Sequence, residues 1–130
     1  MSAEVGLRVV HRRYISYAHA HYAGGLVDGA HSLALFGDVA TDICMRGDGD
    51  EGLFASYQSV EFRAPVRAGD VVEVIGEVVA VGRRSRRLQL ELWVVARGAP
   101  SPASPGRAAV LERPLMATEA IGTVVVPEAG

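Results

Sequence analysis

The stretch Leu26-Val-Asp-Gly-Ala-His-Ser-Leu-Ala-Leu-Phe-Gly-Asp-Val-Ala-Thr-Asp-Ile-Cys44 decides how this chain is put together. Within it Leu26, Ala30, Leu33, Gly37, Ala40 and Cys44 recur at alternating spacings of four and three, the pattern of one helical face. Asp28 falls in the first turn, where a carboxylate suits the helix dipole. The run Gly47-Asp-Gly-Asp-Glu-Gly52 then stops the helix. A helix of this length needs a partner surface to cover its apolar side.

The flanks supply that surface as strands. Leu7 to Ser16 reads as a first strand, followed by a glycine-broken loop over Ala18 to Gly25. Leu53 to Arg63 reads as a second strand, ended by Ala64-Pro65 and the Ala68-Gly69-Asp70 turn. Val72, Val74, Gly76, Val78 and Ala80 then alternate with Val71, Glu73, Ile75 and Glu77, giving one apolar face. A hairpin tip at Gly82-Arg-Arg-Ser-Arg-Arg87 leads into Leu88, Leu90, Leu92 and Val94, again on alternate positions. Gly98 to Gly106 is loop chemistry, and Leu115 to Val126 is a last β-rich run. One helix set apart from an antiparallel meander predicts an α+β domain, a five-stranded sheet wrapped over a long central helix. Residues 1–130 read as one domain.

Composition narrows the chemistry. A net charge of −2 argues against a nucleic-acid binder or a membrane-surface protein. All 13 cationic side chains are arginine, so a lysine Schiff base is excluded. Cys44 is the single cysteine, which rules out an intrachain disulfide and a cysteine-rich metal site. The histidines at 19, 21 and 31 lack metal-ligand spacing, so no metal is expected. There is no apolar leader after the N-terminal charges and no run near the ~20 residues of a membrane span, so the expected location is the cytoplasm.

The candidate chemistry gathers where the loop enters the helix. Gly24 and Gly25 would let free backbone N–H groups approach a ligand, as in an oxyanion hole, although junction composition alone favours a plain flexible turn. Asp38 lies mid-helix, ten residues past Asp28 and seven past His31, which puts all three on one side. Such a carboxylate beside a bound ligand can abstract a proton or orient a water; a plain solvated helix face explains it as readily. His21 before the helix could donate or accept a proton near neutral pH, although a lone loop histidine is more often a hydrogen-bonding surface residue, and Tyr22 reads equally as a packing residue. Glu61 sits in Val60-Glu-Phe-Arg between two residues expected to face the core, and alternation turns it away from the helix. Arg83, Arg84, Arg86 and Arg87 crowd one hairpin tip, a match for phosphate as well as an ordinary charged surface.

Four segments carry a family resemblance: Ala20-His-Tyr-Ala-Gly-Gly-Leu-Val-Asp-Gly-Ala30, Leu35-Phe-Gly-Asp-Val-Ala-Thr41, Asp48-Gly-Asp-Glu-Gly-Leu-Phe54 and Ser59-Val-Glu-Phe-Arg-Ala-Pro-Val-Arg-Ala-Gly-Asp70. Together they resemble the 3-aminobutyryl-CoA ammonia-lyases of lysine fermentation and, less closely, the β-alanyl-CoA ammonia-lyases, both of the hotdog superfamily. The resemblance implies a hotdog fold and reversible loss of ammonia from a β-aminoacyl-CoA, leaving an enoyl-CoA such as crotonyl-CoA. It implies an acyl-CoA thioester as the ligand, with CoA part of the substrate and no separate cofactor, and a homodimer or higher homo-oligomer with shared active sites. In the implied roles Asp38 removes the α proton and His21 or Tyr22 manages the proton on nitrogen. Gly24 and Gly25 hold the enolate oxygen, His19 lies near the amine, and Asp28 is a further substrate-binding candidate. Two positions depart from the family: His19 stands where an aspartate is usual, and Gly25 where an asparagine is usual. A hotdog thioesterase or an enoyl-CoA hydratase is the alternative chemistry, and a non-catalytic acyl-CoA sensor the alternative class.

Overall fold

The computed structural model describes residues 2–128. Seven strands and one long helix follow in order: β1 (Arg8–Tyr14), β2 (Ala20–Tyr22), β3 (Leu26–Val27), α1 (Gly29–Asp48), β4 (Leu53–Phe62), β5 (Val71–Val81), β6 (Ser85–Gly98) and β7 (Ala108–Val125). Five strands form an antiparallel sheet in the order β1-β5-β6-β7-β4, and β2 pairs with β3 in a small separate ribbon. The 20-residue α1 packs against the sheet chiefly over β5 and β1. This is the expected α+β architecture with its five-stranded sheet.

The strand alternation read from sequence is observed except at Ala80, which was expected on the apolar face but is exposed, because the β5–β6 register shifts between Val78 and Ala80. Val72, Val74, Val78, Leu88, Leu90, Leu92 and Val94 are all 0% exposed. Each such side chain is worth about 2 kcal/mol of burial, and together they form the floor on which α1 rests. Gly76 lies in the same row as a necessity of packing. A Cβ there would come within 2.6 Å of Val39 and 2.8 Å of Ile43, so the missing side chain lets the helix approach the sheet.

The helix itself departs from expectation in two ways. It starts at Gly29, not Leu26, because Leu26 and Val27 are strand: Val27 is buried opposite Ala20, and its N–H donates to the Val66 carbonyl. The buried face is also rotated from the predicted one. It consists of Ser32, Leu35, Phe36, Val39, Ala40, Ile43, Cys44 and Gly47. Only Ala40 and Cys44 belong to both stripes; Ala30 is exposed. The physical reason is bulk, since Phe36, Val39 and Ile43 remove far more apolar surface from water than Ala30 or Gly37 could.

The C-terminal end of α1 is fastened. Gly49 adopts φ 68°, and its N–H donates to the Met45 carbonyl, closing the helix. Asp48 accepts from Arg86 Nη2 at 2.6 Å and Nε at 3.1 Å and from the Ala3 N–H, with both charged side chains about 5% exposed or less. Arg86 Nη1 also donates to the Gly82 and Ser85 carbonyls. Burial alone would raise the Asp48 carboxyl, but the Arg86 bonds outweigh it and hold the group below its ordinary value.

Candidate active site

A cavity of about 400 Å³ opens at the other end of α1. Its wall comes from three places: Tyr22 and Val27 of the ribbon, Gly29 and Ser32 of the first helical turn, and the Phe62-to-Val66 segment after β4, with Thr118 of β7 below. A Cβ at Gly29 would meet the Phe62 ring at 2.5 Å, so the absent side chain leaves room for that ring over the helix start. Phe62 is 59% exposed, contrary to the expectation that it faces the core; its ring covers the helix start instead.

The segment after β4 is held by a second internal ion pair. Asp70 is 0% exposed, accepts from Arg97 at 2.8 and 2.9 Å, and accepts from the Arg67 N–H at 2.8 Å. Arg97 also donates to the Pro65 carbonyl. The Asp70 bond raises the Arg97 guanidinium above its ordinary value, so the pair stays charged. Val27, Ala68 and Gly25 bind the ribbon to the same segment through the Val27 N–H to Val66 O and Ala68 N–H to Gly25 O bonds. The cavity wall is thereby rigid on the strand side.

Around the helix from the cavity lies a cluster of titratable groups. The His19 and His31 rings stack, with centroids 3.9 Å apart and planes at 22°. Partial burial lowers the His31 pKa first, the neighbouring His19 lowers it further, and the charges of Asp28 and Asp38 oppose both. Asp28 and Asp38 are thus both within electrostatic reach of His31, as is the stacked His19. Asp28 occupies the N-cap position but makes no capping bond with its side chain, so its carboxylate is free. Asp38 is exposed on the helix. One turn on, Asp42 accepts from His11 Nε2 and Arg46 Nε, both at 2.7 Å, and these bonds hold its carboxyl below the ordinary value.

Other predicted residues sit as follows. His21 and Tyr22 touch edge to face, centroids 4.6 Å apart, and Tyr22 lines the cavity. Gly24 and Gly25 take φ of 78° and 75°, the left-handed conformation that glycine alone enters freely. They are separated from the helix by β3, however, so the dipole end belongs to Gly29 and not to them. Glu61 is exposed on β4 opposite Glu119, outside the cavity wall, and Arg63 turns its guanidinium to Glu119. Arg83 and Arg84 are exposed at the hairpin tip, whereas Arg86 is buried against Asp48 and unavailable to a ligand. That correction has a simple cause: Arg86 sits on a strand position facing the core, and a buried cation must find a carboxylate. The tip also lies beside the far end of a helix about 30 Å long, remote from the cavity within one chain.

Ser32, Phe62 and Thr118 escaped the sequence reading. Ser32 is signalled once the helix is phased on Phe36, Val39 and Ile43, since it falls three and four residues before Leu35 and Phe36.

A family model described as the thioesterase superfamily matches residues 24–99. A 3-aminobutyryl-CoA ammonia lyase of Acetoanaerobium sticklandii is 49% identical over 111 residues, which is 84% of this chain and 86% of that protein. The chain belongs to this ammonia-lyase family, within the thioesterase superfamily. Among solved structures, the β-alanyl-CoA:ammonia lyase from Clostridium propionicum is 37% identical, with a TM-score of 0.88 over 95% of this chain and 87% of that one. A hexameric hotdog fold thioesterase of Campylobacter jejuni, 20% identical with a TM-score of 0.72 over 88% of this chain and 79% of that one, shares the hotdog fold. In the ammonia-lyase family setting, the cavity and the adjoining His19–His31–Asp28–Asp38 cluster are the candidate active site.

Proposed function

We propose that the protein catalyses reversible elimination of ammonia from a β-aminoacyl-CoA, giving an enoyl-CoA of the crotonyl-CoA type. The single observation that carries this is the 49% identity to the A. sticklandii ammonia lyase across 84% of the chain. Asp38 takes the α proton and His21 or Tyr22 donates the proton with which the amine leaves. The C–N bond breaks as the α carbanion, delocalised into the thioester, forms the double bond. The free N–H groups of the first turn at Gly29 are better placed for the thioester oxygen than those of Gly24 and Gly25, because the helix dipole ends there. His19 sits against His31 where the resemblance leads one to expect an aspartate, so that side of the helix carries imidazole in place of a carboxylate.

The acting form on this reading is a homo-oligomer. Asp38 and the cavity open on different sides of α1, and a second copy is what can bring one chain's exposed Asp38 to another's cavity. Hexameric thioesterase structures of the same fold support this. The setting is cytoplasmic breakdown of lysine, with CoA entering as part of the substrate and no other cofactor. No helix among the described residues is long and apolar enough to cross a membrane.

A thioesterase is the second reading, favoured by the thioesterase-superfamily match alone. A panel of CoA esters, assayed with and without ammonium, separates the two. Loss of enoyl absorbance that depends on ammonium, without free thiol, is the expected outcome. Thiol release independent of ammonium would assign the protein to hydrolysis.

A further inference from the structure

Two hydroxyl groups in the cavity wall have no partner within the fold. Ser32 is 3% exposed and Thr118 1% exposed, and both line the cavity. Elsewhere the chain pairs such groups: Thr41 donates to the Gly37 carbonyl and Thr123 to the Gln58 side chain. The side-chain oxygens of Ser32 and Thr118 make no hydrogen bond among the described residues. No fully occluded side-chain nitrogen or oxygen is left unpaired among those residues. Two unpaired oxygens in residues this buried must therefore open onto the cavity.

The rest of the wall says what they meet. Val27, Phe62, Pro65 and Val66 are apolar, and no carboxylate lines the cavity. The one cation beside it, Arg63, has its guanidinium turned to Glu119. An ion entering such a space would lose hydration without gaining a counter-charge. A small neutral molecule that both donates and accepts hydrogen bonds matches a hydroxyl pair, because each hydroxyl can do either.

We infer that Ser32 and Thr118 form the subsite for the substrate nitrogen, holding it as neutral ammonia when it leaves or attacks. The assignment rests on the ammonia-lyase reading above. In the addition direction the nitrogen lone pair forms the bond to the β carbon, and the π pair moves to the α carbon and thioester. The α carbon takes a proton from Asp38, and nitrogen gives one up to Tyr22 or His21. Tyr22 shares the cavity wall with both hydroxyls, so the proton has a short path. Neutral water offers the same hydrogen-bonding pattern, which makes it the competing occupant.

The test is initial-rate kinetics of crotonyl-CoA with ammonium chloride for wild type, Ser32→Ala, Thr118→Val and Ser32→Thr. Each hydroxyl deletion should raise the KM for ammonium about five- to tenfold, the worth of one net hydrogen bond. The KM for crotonyl-CoA should stay within about twofold, and Ser32→Thr should restore the ammonium KM. Wild-type KM for total ammonium should fall as pH rises and become constant when expressed as free ammonia. The two deletions are independent, so one variant failing to fold leaves the other to decide, with Ser32→Cys in reserve. Folded variants with an unchanged ammonium KM, or with both KM values raised alike, would overturn the assignment while leaving the lyase reading intact. A wild type that consumes no enoyl-CoA with ammonium would overturn the lyase reading and this subsite with it.

Discussion

At its C-terminal end α1 is pinned by a buried Asp48–Arg86 pair, a left-handed Gly49 and the Ala3 N–H, with little left unsatisfied. Around the N-terminal half of the same helix gather an uncapped Asp28, the stacked His19 and His31, an exposed Asp38, and the partnerless hydroxyls of Ser32 and of Thr118 from β7 beside a cavity. One end has its polar groups satisfied by the protein itself, and the other has them waiting. Polar groups left unpaired near a cavity are costly unless a ligand meets them, so the contrast separates the end that stabilises from the end that acts.

Three substitutions or conditions probe that contrast, beginning with the largest effect. Asp38→Asn should lower kcat for ammonia elimination by about 10²- to 10⁴-fold, the usual contribution of a positioned general base. Its unfolding free energy should change by less than about 0.5 kcal/mol, because the side chain is exposed. A fully active Asp38→Asn enzyme would remove the aspartate from the mechanism. Arg86→Ala should do the reverse: about 3–5 kcal/mol of stability lost on chemical denaturation through the uncompensated Asp48 charge, with activity per folded molecule retained. The double variant with Asp48→Ala should recover part of that loss. If Arg86→Ala instead selectively raised the KM for CoA esters, the pinned end would have to be counted in the ligand site.

The smallest effect concerns pH. The folded His31 titrates below its ordinary 6.5, so the fold favours the neutral ring, and its contribution to stability is present above about 6.5 and lost as pH falls. Asp42, also lowered, contributes above its ordinary 3.8, and that contribution disappears only in stronger acid. Urea midpoints should therefore decline between pH 7 and 5, and His31→Gln should flatten that decline. An unchanged slope in the variant would show that His31 does not carry the decline.

The two ends also differed in how well they could be read before the structure. The sheet was legible because its signal is period-two alternation of heavy side chains, and Val72 through Val94 kept it. The Gly49 stop was legible because a glycine run ends a helix for a local reason. The start of α1 was not: Leu26 and Val27 are apolar and adjoin the helix, but a tertiary bond to Val66 makes them strand. Phasing the helix on small residues hid Ser32 from view, and reading four arginines as one tip missed that strand alternation buries Arg86. Asp28 and Asp38 were grouped with His31 correctly because helical spacing alone brings both within its reach. His19 entered the group only through the fold of the ribbon before the helix.

The central claim is that this ammonia-lyase family member moves ammonia and not water across the enoyl-CoA double bond. Incubating the protein with crotonyl-CoA and isotopically labelled ammonium, then weighing the CoA ester by mass spectrometry, tests it directly. The expected product is an ester heavier by one labelled ammonia with its thioester intact. An ester heavier by one water, or free CoA, would contradict it.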